Sequence, residues 1–285
     1  MDVTKPLVNP LANIDSAAID TPAGFPQDQH EAPQHQIRWG LPDVFIGIVL
    51  SWVAAVVVLL AVLVVLDIDT SGQIGTGSYL GRYGLSDAID AERSDPAWPL
   101  WTLPVGQIGL WGGFAVTTWV AGRLRGGGVR RDFGLAMKAS DVPLGLLVGV
   151  FSQVVVVWLL YAPFQIFFDF DVSEAAREIT DKAATNSDIA LLFMGVVLGA
   201  PIFEELFFRG LVLRAFERKW GTLMGVLASS LLFGAVHLQP LQFPALVVFG
   251  IIAAVLTKRF MRLGPAIWAH IGFNLVAVIS LVWLA

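Results

Sequence analysis

Long apolar runs recur along this 285-residue sequence, and they constrain the fold more than any other feature. A transmembrane helix needs about 20 predominantly apolar residues. Runs of this kind lie near 44–66, 99–121, 142–164, 222–238, 241–257 and 264–285, and a further run begins near Ile189. Because 56% of the residues are hydrophobic and only 14% are charged, the sequence predicts an all-α, polytopic membrane helix bundle of about seven transmembrane helices.

The first 41 residues differ from the rest. They hold no long apolar run, and they carry five prolines among polar residues, which predicts a disordered cytoplasmic tail. This stretch does not resemble a signal peptide, because the first apolar run begins only near Val44. We therefore predict three parts: a tail at 1–41, amino-terminal transmembrane helices and loops at 42–186, and a helical core at 187–285.

The charges of the loops alternate in sign. Lys and Arg follow the second, fourth and sixth runs, whereas Asp and Glu dominate the loops at 67–98 and 165–188. Cytoplasmic loops are enriched in Lys and Arg, so the basic loops are expected in the cytoplasm. This pattern predicts a multi-pass protein of the plasma membrane with its amino terminus inside and its carboxy terminus outside.

The fourth run contains three ionisable residues, Glu204, Glu205 and Arg209. Each such charge costs about 2.5–3.5 kcal/mol at the centre of a bilayer, so it indicates a functional site. Glu205 and Arg209 are four residues apart and can pair on one helix face. Glu204 lies about 100° around the helix and has no such neighbour, so its partner must come from another helix or from water.

Two histidines lie on later runs. Glu204 is 16 residues before Trp220 and His237 is 16 residues after Gly221, so a helical hairpin that turns at Trp220–Gly221 places them level with each other. His270 and Asn274 are four residues apart and share a face. His270 lies about 9 Å from its nearest turn and Glu204 about 24 Å from Trp220, a mismatch that shrinks if the Trp220 turn projects beyond the membrane.

Three short motifs in this region resemble those of a known family. EELFFR (204–209), FGAVH (233–237) and HIGFN (270–274) are similar to the motifs of the CPBP family, which comprises CAAX prenyl endopeptidases and bacteriocin-processing or immunity relatives. The pattern of that family is Glu-Glu-x-x-x-Arg, Phe-x-x-x-His and His-x-x-x-Asn, in this order. The resemblance covers roughly 187–285, which would then be the catalytic core.

The resemblance implies an intramembrane endopeptidase of the glutamic type. Glu204 and His237 would activate a water molecule, and His270 and Asn274 would stabilise the tetrahedral oxyanion. Glu205 and Arg209 would support the site. The implied substrate is a hydrophobic or lipid-modified peptide or protein within the lipid bilayer; whether it is prenylated stays open, and no nucleic-acid partner is expected.

Two alternatives stay open at this point. The enzyme could depend on a metal, with zinc held by Glu204, His237 and His270, although HExxH is absent and Asn274 is a poor zinc ligand. We expect no cofactor, with zinc as the alternative. The protein could also be a non-catalytic immunity or scaffold protein, or a proton-coupled transporter, because buried Glu and His also build proton relays.

Overall fold

The computed structural model describes residues 37–65, 102–168, 186–280 and residue 282, and this part of the chain is helical with no β-strand. The described residues form seven helices, one of which is interrupted by a turn. They are α1 (Leu41–Val65), α2 (Thr102–Arg125), the short α3 (Val129–Phe133), α4 (141–168), α5 (186–236), α6 (Phe243–Phe260) and α7 (Gly264–Ile279). The predicted all-α class is confirmed.

Four of the helices are long and apolar enough to cross a membrane. They are α1, α4 over Asp141–Pro163, α5 over Ile189–Val236, and α6. Helix α7 is apolar but shorter, and α2 is long but less apolar. The fold is a helical membrane bundle, as the apolar runs predicted.

Helix α5 is bent into a hairpin at Gly221. The backbone there has φ 84° and ψ 171°, a conformation that suits glycine because it has no side chain. Gly221 divides the helix into two arms, α5a (186–220) and α5b (222–236). The turn predicted at Trp220–Gly221 is therefore confirmed.

Helix α5a has two π-helical segments. Phe193–Gly199 and Leu206–Val212 are π-helical, and the α-helical Ala200–Glu205 lies between them. Such π segments occur mostly as local insertions, and they are frequent at functional sites. The paired glutamates therefore lie at the end of the α-helical turn that separates two wider turns.

Glycines allow the closest helix contacts. A Cβ on Gly113 of α2 would lie 2.4 Å from the Cα of Ser51 on α1, so the two helices cross almost backbone to backbone. Gly145 and Gly149 of α4 do the same against α7, where a Cβ on Gly149 would lie 2.0 Å from the carbonyl oxygen of Ala269. Small residues at membrane helix crossings permit this approach, and the crossing with α4 fixes the helix that carries His270.

Polar contacts tie the helices together at the end of the bundle that holds the α6–α7 turn. Arg262, in that turn, donates to both carboxylate oxygens of Asp141 at the start of α4, and these hydrogen bonds raise the pKa of Arg262. Arg218 of α5a donates to the carbonyl of Trp39 at 2.7 Å. The indole of Trp39 donates to Asp132 at 3.0 Å, so the segment before α1 is joined to both α3 and α5a.

Some predictions fall on parts of the chain outside the described residues. These are the tail up to residue 36, the acidic loop at 67–98, and residues 169–185 of the second acidic loop. The division into 1–41, 42–186 and 187–285 stays a prediction.

Candidate active site

Three of the predicted site residues converge on one point. Glu204 Oε2 lies 3.9 Å from His237 Nε2 and 4.0 Å from His270 Nε2. Glu204 is only 7% exposed, and its Oε2 has no hydrogen-bond partner among the described residues. A buried oxygen without a partner is costly, so this atom marks the place where a ligand or a water molecule is needed.

The hydrogen bond of His237 sets its neutral tautomer. His237 Nδ1 lies 2.7 Å from the carbonyl oxygen of Phe233. Because a carbonyl only accepts, Nδ1 carries the proton, and in neutral His237 the lone pair is on Nε2. That lone pair is on the atom nearest Glu204. The side chain is 25% exposed, more than any other member of the cluster.

The second glutamate has different partners. Glu205 is fully buried, and its Oε1 accepts a hydrogen bond of 2.9 Å from His270 Nδ1. Its Oε2 lies 3.1 Å from Nε of the buried Arg209, an ion pair whose angle is not that of a hydrogen bond. The predicted pairing of Glu205 with Arg209 is confirmed, and the contact between Glu205 and His270 is an additional finding.

The ring of Phe233 lies at the centre of the cluster. The guanidinium carbon of Arg209 is 4.3 Å from its centroid, and the imidazoles of His237 and His270 meet it edge to face at 4.7 and 5.6 Å. Phe208 packs on the same ring at 5.2 Å. Phe233 therefore orients both imidazoles, in addition to providing the backbone acceptor for His237.

Asn274 lies near the cluster but donates away from it. Its Nδ2 donates to the carbonyl oxygen of Val196 at 2.8 Å, within the first π-helical segment. His270 and Asn274 share a face of α7, but their hydrogen bonds go to different acceptors. The role of Asn274 as an oxyanion donor stays a prediction, and it requires this amide to leave Val196.

The hairpin explains how Glu204 and His237 meet. Ring contact between Phe208 and Phe233 shows that the arms of α5 lie side by side and antiparallel. Glu204 and His237 are almost symmetric about Gly221, and the 3.9 Å distance confirms that they are level.

The depth of His270 is explained by the Arg214 region. The guanidinium of Arg214 lies against Gly134, whose carbonyl accepts a hydrogen bond from the amide of Leu263. Glu217 also pairs with Lys258 in the last turn of α6, so the α6–α7 turn is level with the part of α5a that precedes Trp220, and the tip of the α5 hairpin projects beyond it. This projection reduces the mismatch found from the sequence.

The spacing within the cluster suits a bridging water. A water that accepts or donates at about 2.8 Å can join two atoms about 4 Å apart. Tetrahedral zinc, with bonds of about 2.0–2.1 Å, would hold its ligand atoms about 3.4 Å apart. As they stand, the described residues form no group of three His, Asp or Glu side chains spaced for a metal ion.

Two contributors were missed by sequence reasoning. Phe249 of α6 lies 5.0 Å from the ring of His270, and the carbonyl of Gly250 lies 3.5 Å from Arg209 Nη2. Phe249 lies within an apolar run. Its residue type does not distinguish a wall of the site from a surface that faces lipid, so the sequence did not indicate its role. The backbone acceptors Val196 and Gly250 leave no signal in residue type.

The cluster lies within a region that matches a known family. Residues 186–276 match the sequence model of the family described as "Type II CAAX prenyl endopeptidase Rce1-like". The UPF0177 protein YbdI of Lactococcus lactis subsp. lactis (strain IL1403) is 30% identical over 112 residues, which cover 37% of this chain and 60% of that protein. The chain thus spans less than two thirds of the length of this relative, and no solved structure gives a significant match. Residues 186–276 hold all three motifs, so the predicted resemblance to the CAAX prenyl endopeptidase family is confirmed for this part of the chain.

Proposed function

We propose that this protein is an intramembrane endopeptidase that hydrolyses a peptide bond in a hydrophobic or lipid-modified peptide or protein. One observation carries the proposal: the unpartnered carboxylate oxygen of Glu204 faces the Nε2 atoms of two histidines inside a membrane bundle. The family match of residues 186–276 supports the same class of reaction.

The reaction begins with a water molecule held between Glu204 and His237. Both groups accept its hydrogens, so the lone pairs of the oxygen are free to attack the carbonyl carbon of the substrate. As the new C–O bond forms, Glu204 takes a proton from the water and acts as the general base. When the C–N bond breaks, the protonated Glu204 returns this proton to the leaving amine, and the carboxylate is restored.

The tetrahedral intermediate carries its negative charge on the former carbonyl oxygen. His270 is the candidate donor to this oxygen, because its Nε2 lies 4.0 Å from the base that holds the water. Asn274 joins it once its amide leaves the carbonyl of Val196. Removal of one oxyanion donor typically costs about 10²–10³ in kcat.

The charged end of the bundle supports the proposed orientation in the plasma membrane. Five cations, Arg125, Arg214, Arg218, Lys258 and Arg262, make polar contacts or close packing there. This end is the cytoplasmic one by the bias of Lys and Arg. His270 is six residues into α7, about 9 Å from that end, so the peptide bond enters from the cytoplasmic side.

The direct test replaces Glu204 by Gln, which keeps the shape of the side chain but removes the base. Membranes with wild-type protein and with Glu204→Gln are compared by quantitative proteomics for peptides whose termini depend on the active protein. Glu217→Gln is the matched control, because Glu217 is on the same helix and pairs with Lys258 away from the cluster. We expect cleavage in the wild type and in the control, and none in Glu204→Gln.

Persistent cleavage in a folded Glu204→Gln variant contradicts the mechanism. A biological role retained by Glu204→Gln without any cleavage supports the immunity or scaffold alternative instead. A proton flux in reconstituted vesicles that Glu204→Gln abolishes, with no cleavage in the wild type, supports the transporter. Loss of cleavage on chelation that zinc restores would establish the metal-dependent form.

A further inference from the structure

We propose that Pro201 is a positioning residue that holds the side chain of Asn274 in a resting orientation. It acts through the backbone, because proline has no N–H and the carbonyl that this N–H would bind is the acceptor of Asn274. The effect on catalysis rests on the proposed peptidase function, whereas the effect on the orientation of Asn274 does not.

Pro201 accounts for the first π-helical segment of α5a. In a regular α-helix, the ring of a proline clashes with the carbonyl four residues earlier, which here belongs to Val197. Phe193–Gly199 is π-helical and ends two residues before Pro201. Membrane helices accommodate prolines by local adjustments of this kind, so the position of the segment follows from the position of the proline.

The same segment leaves the carbonyl of Val196 without its usual helical donors. In an α-helix this carbonyl would accept a hydrogen bond from the N–H of Ala200, but that N–H donates to Gly195, five residues before it. In a π-helix the donor would be the residue five positions after Val196. That residue is Pro201, which has no N–H to donate.

Asn274 supplies the missing donor. Its Nδ2 donates to the carbonyl oxygen of Val196 at 2.8 Å. Val196 lies within Ile189–Val236, a stretch long and apolar enough to cross a membrane. A carbonyl without a partner is costly in such an environment, since water is not at hand to replace the donor. The hydrogen bond therefore favours this orientation of the Asn274 amide.

Apolar packing joins α5a to α7 independently of this hydrogen bond. Val197 is 1% exposed and belongs to a buried cluster with Ile267, Ile271 and Val278 of α7. Release of the Asn274 amide would leave these contacts in place. The side chain can therefore turn while both backbones stay where they are, as a resting orientation requires.

The resting contact opposes the proposed reaction. Asn274 donates to the oxyanion only after it leaves Val196, so the loss of this hydrogen bond offsets part of the stabilisation of the transition state. A backbone N–H at position 201 would supply Val196 with another donor. If the segment instead rewound to an α-helix, the N–H of Ala200 would supply it. In both cases Asn274 is released.

The first test observes the amide of Asn274 directly. Full-length protein labelled with ¹⁵N-asparagine is placed in lipid nanodiscs, and the side-chain N–H signals are recorded by NMR. The chain has four asparagines, and the signal that disappears in Asn274→Leu is that of Asn274. We expect one of its protons to be shifted downfield by the hydrogen bond in the wild type, and to move upfield in Pro201→Ala.

Two further variants assign the cause. Pro201→Ser adds the same N–H with a different side chain, so it should act like Pro201→Ala. Pro163→Ala is the matched control, because Pro163 is also inside a helix but lies on α4, and it should leave the signal of Asn274 unchanged. A hydrogen-bonded signal that persists in both Pro201 variants overturns the proposal, as does its absence from the wild type.

Thermal unfolding gives a readout that needs no activity. Asn274→Leu leaves Val196 without a donor in the wild type, whereas in Pro201→Ala the backbone supplies one. The change in melting temperature caused by Asn274→Leu should therefore be less unfavourable by about 2–4 °C in the Pro201→Ala background, the value of one hydrogen bond. Equal changes in the two backgrounds would show that the residues do not interact and would overturn the proposal.

The cleavage assay tests the resting role. Pro201→Ala should raise kcat about 2–10-fold, the value of one neutral hydrogen bond, with KM unchanged because Asn274 acts on the transition state. Pro163→Ala should match the wild type. An unchanged or lower kcat in a variant that releases Asn274 overturns the resting role. A wild type that cleaves nothing would refute the proposed function instead, and the NMR and unfolding tests would still decide what Pro201 does.

Discussion

A single methyl group at the crossing of α4 and α7 is expected to inactivate the site from outside it. A Cβ at Gly149 would lie 2.0 Å from the carbonyl oxygen of Ala269 and 2.7 Å from the amide nitrogen of Phe273. Both are backbone atoms of α7, so no side chain can rotate to make room. His270 is the residue next to Ala269, and it moves with this backbone.

The size of the effect follows from these distances. Ordinary contact with a Cβ begins at 3.4 Å, so Gly149→Ala requires α7 to move by about 1.4 Å relative to α4. Overpacking of this kind typically destabilises by about 1–3 kcal/mol. A misplacement of about 1 Å costs about 10²-fold in rate, and we therefore expect a loss of cleavage of about 100-fold in protein that still folds.

The measurement combines the cleavage rate with thermal unfolding in detergent. Gly112→Ala is the matched control, because Gly112 is also within a helix but a Cβ there meets nothing within 4 Å. That control is expected to keep full activity and to be slightly more stable, since alanine favours helix over glycine by about 1 kcal/mol. If Gly149→Ala keeps wild-type activity and stability, the close crossing does not position His270 and the reasoning is wrong.

Three further substitutions test individual contacts. Phe233→Leu removes the ring that contacts Arg209 and both histidines; it should lower the cleavage rate about 10-fold, as two oriented imidazoles are released. Arg209→Met removes the ion-pair partner of the buried Glu205, which keeps only the hydrogen bond from His270, and should destabilise by about 3–5 kcal/mol. In a double-mutant cycle of thermal unfolding, Glu205→Gln should recover most of this loss, and strict additivity would show that the two residues do not interact. Trp39→Phe removes the hydrogen bond to Asp132 and part of the indole that packs against Phe133 and Arg218, and it should cost about 1–3 kcal/mol of stability without changing the rate.

Helix positions and two pairings were predictable, because they depend on local pattern or on symmetry about a turn. Gly221 follows charged residues between two apolar runs, so a turn was expected there, and the symmetry of Glu204 and His237 about it gave their contact. Glu205 and Arg209 are one turn apart on a helix, and such pairs need no tertiary knowledge.

The remaining features depend on how helices tilt and shift against one another. The depth of His270 depends on how the α5 hairpin packs against the α6–α7 turn, through the contacts of Arg214 with Gly134 and of Gly134 with Leu263. The acceptor of Asn274 is a backbone carbonyl, and every residue has one. Phe249 was not predicted because a wall of the site is apolar and a surface that faces lipid is apolar too. Residue type alone therefore does not distinguish the two.

The two wide turns on either side of Ala200–Glu205 have a consequence for how this chain tolerates change. In a π-helical segment each hydrogen bond closes over one more residue than in an α-helix, so Leu206–Val212 accommodates about one residue more than an α-helix with the same rotation. Deletion of one residue from this segment, with rewinding to α-helix, should therefore leave the preceding glutamates facing the arm that bears His237. Deletion of a second residue would rotate them by about 100°, and the carboxylate would then face away from the imidazoles although the identity of every site residue is unchanged. We expect cleavage to survive the first deletion and to be lost with the second.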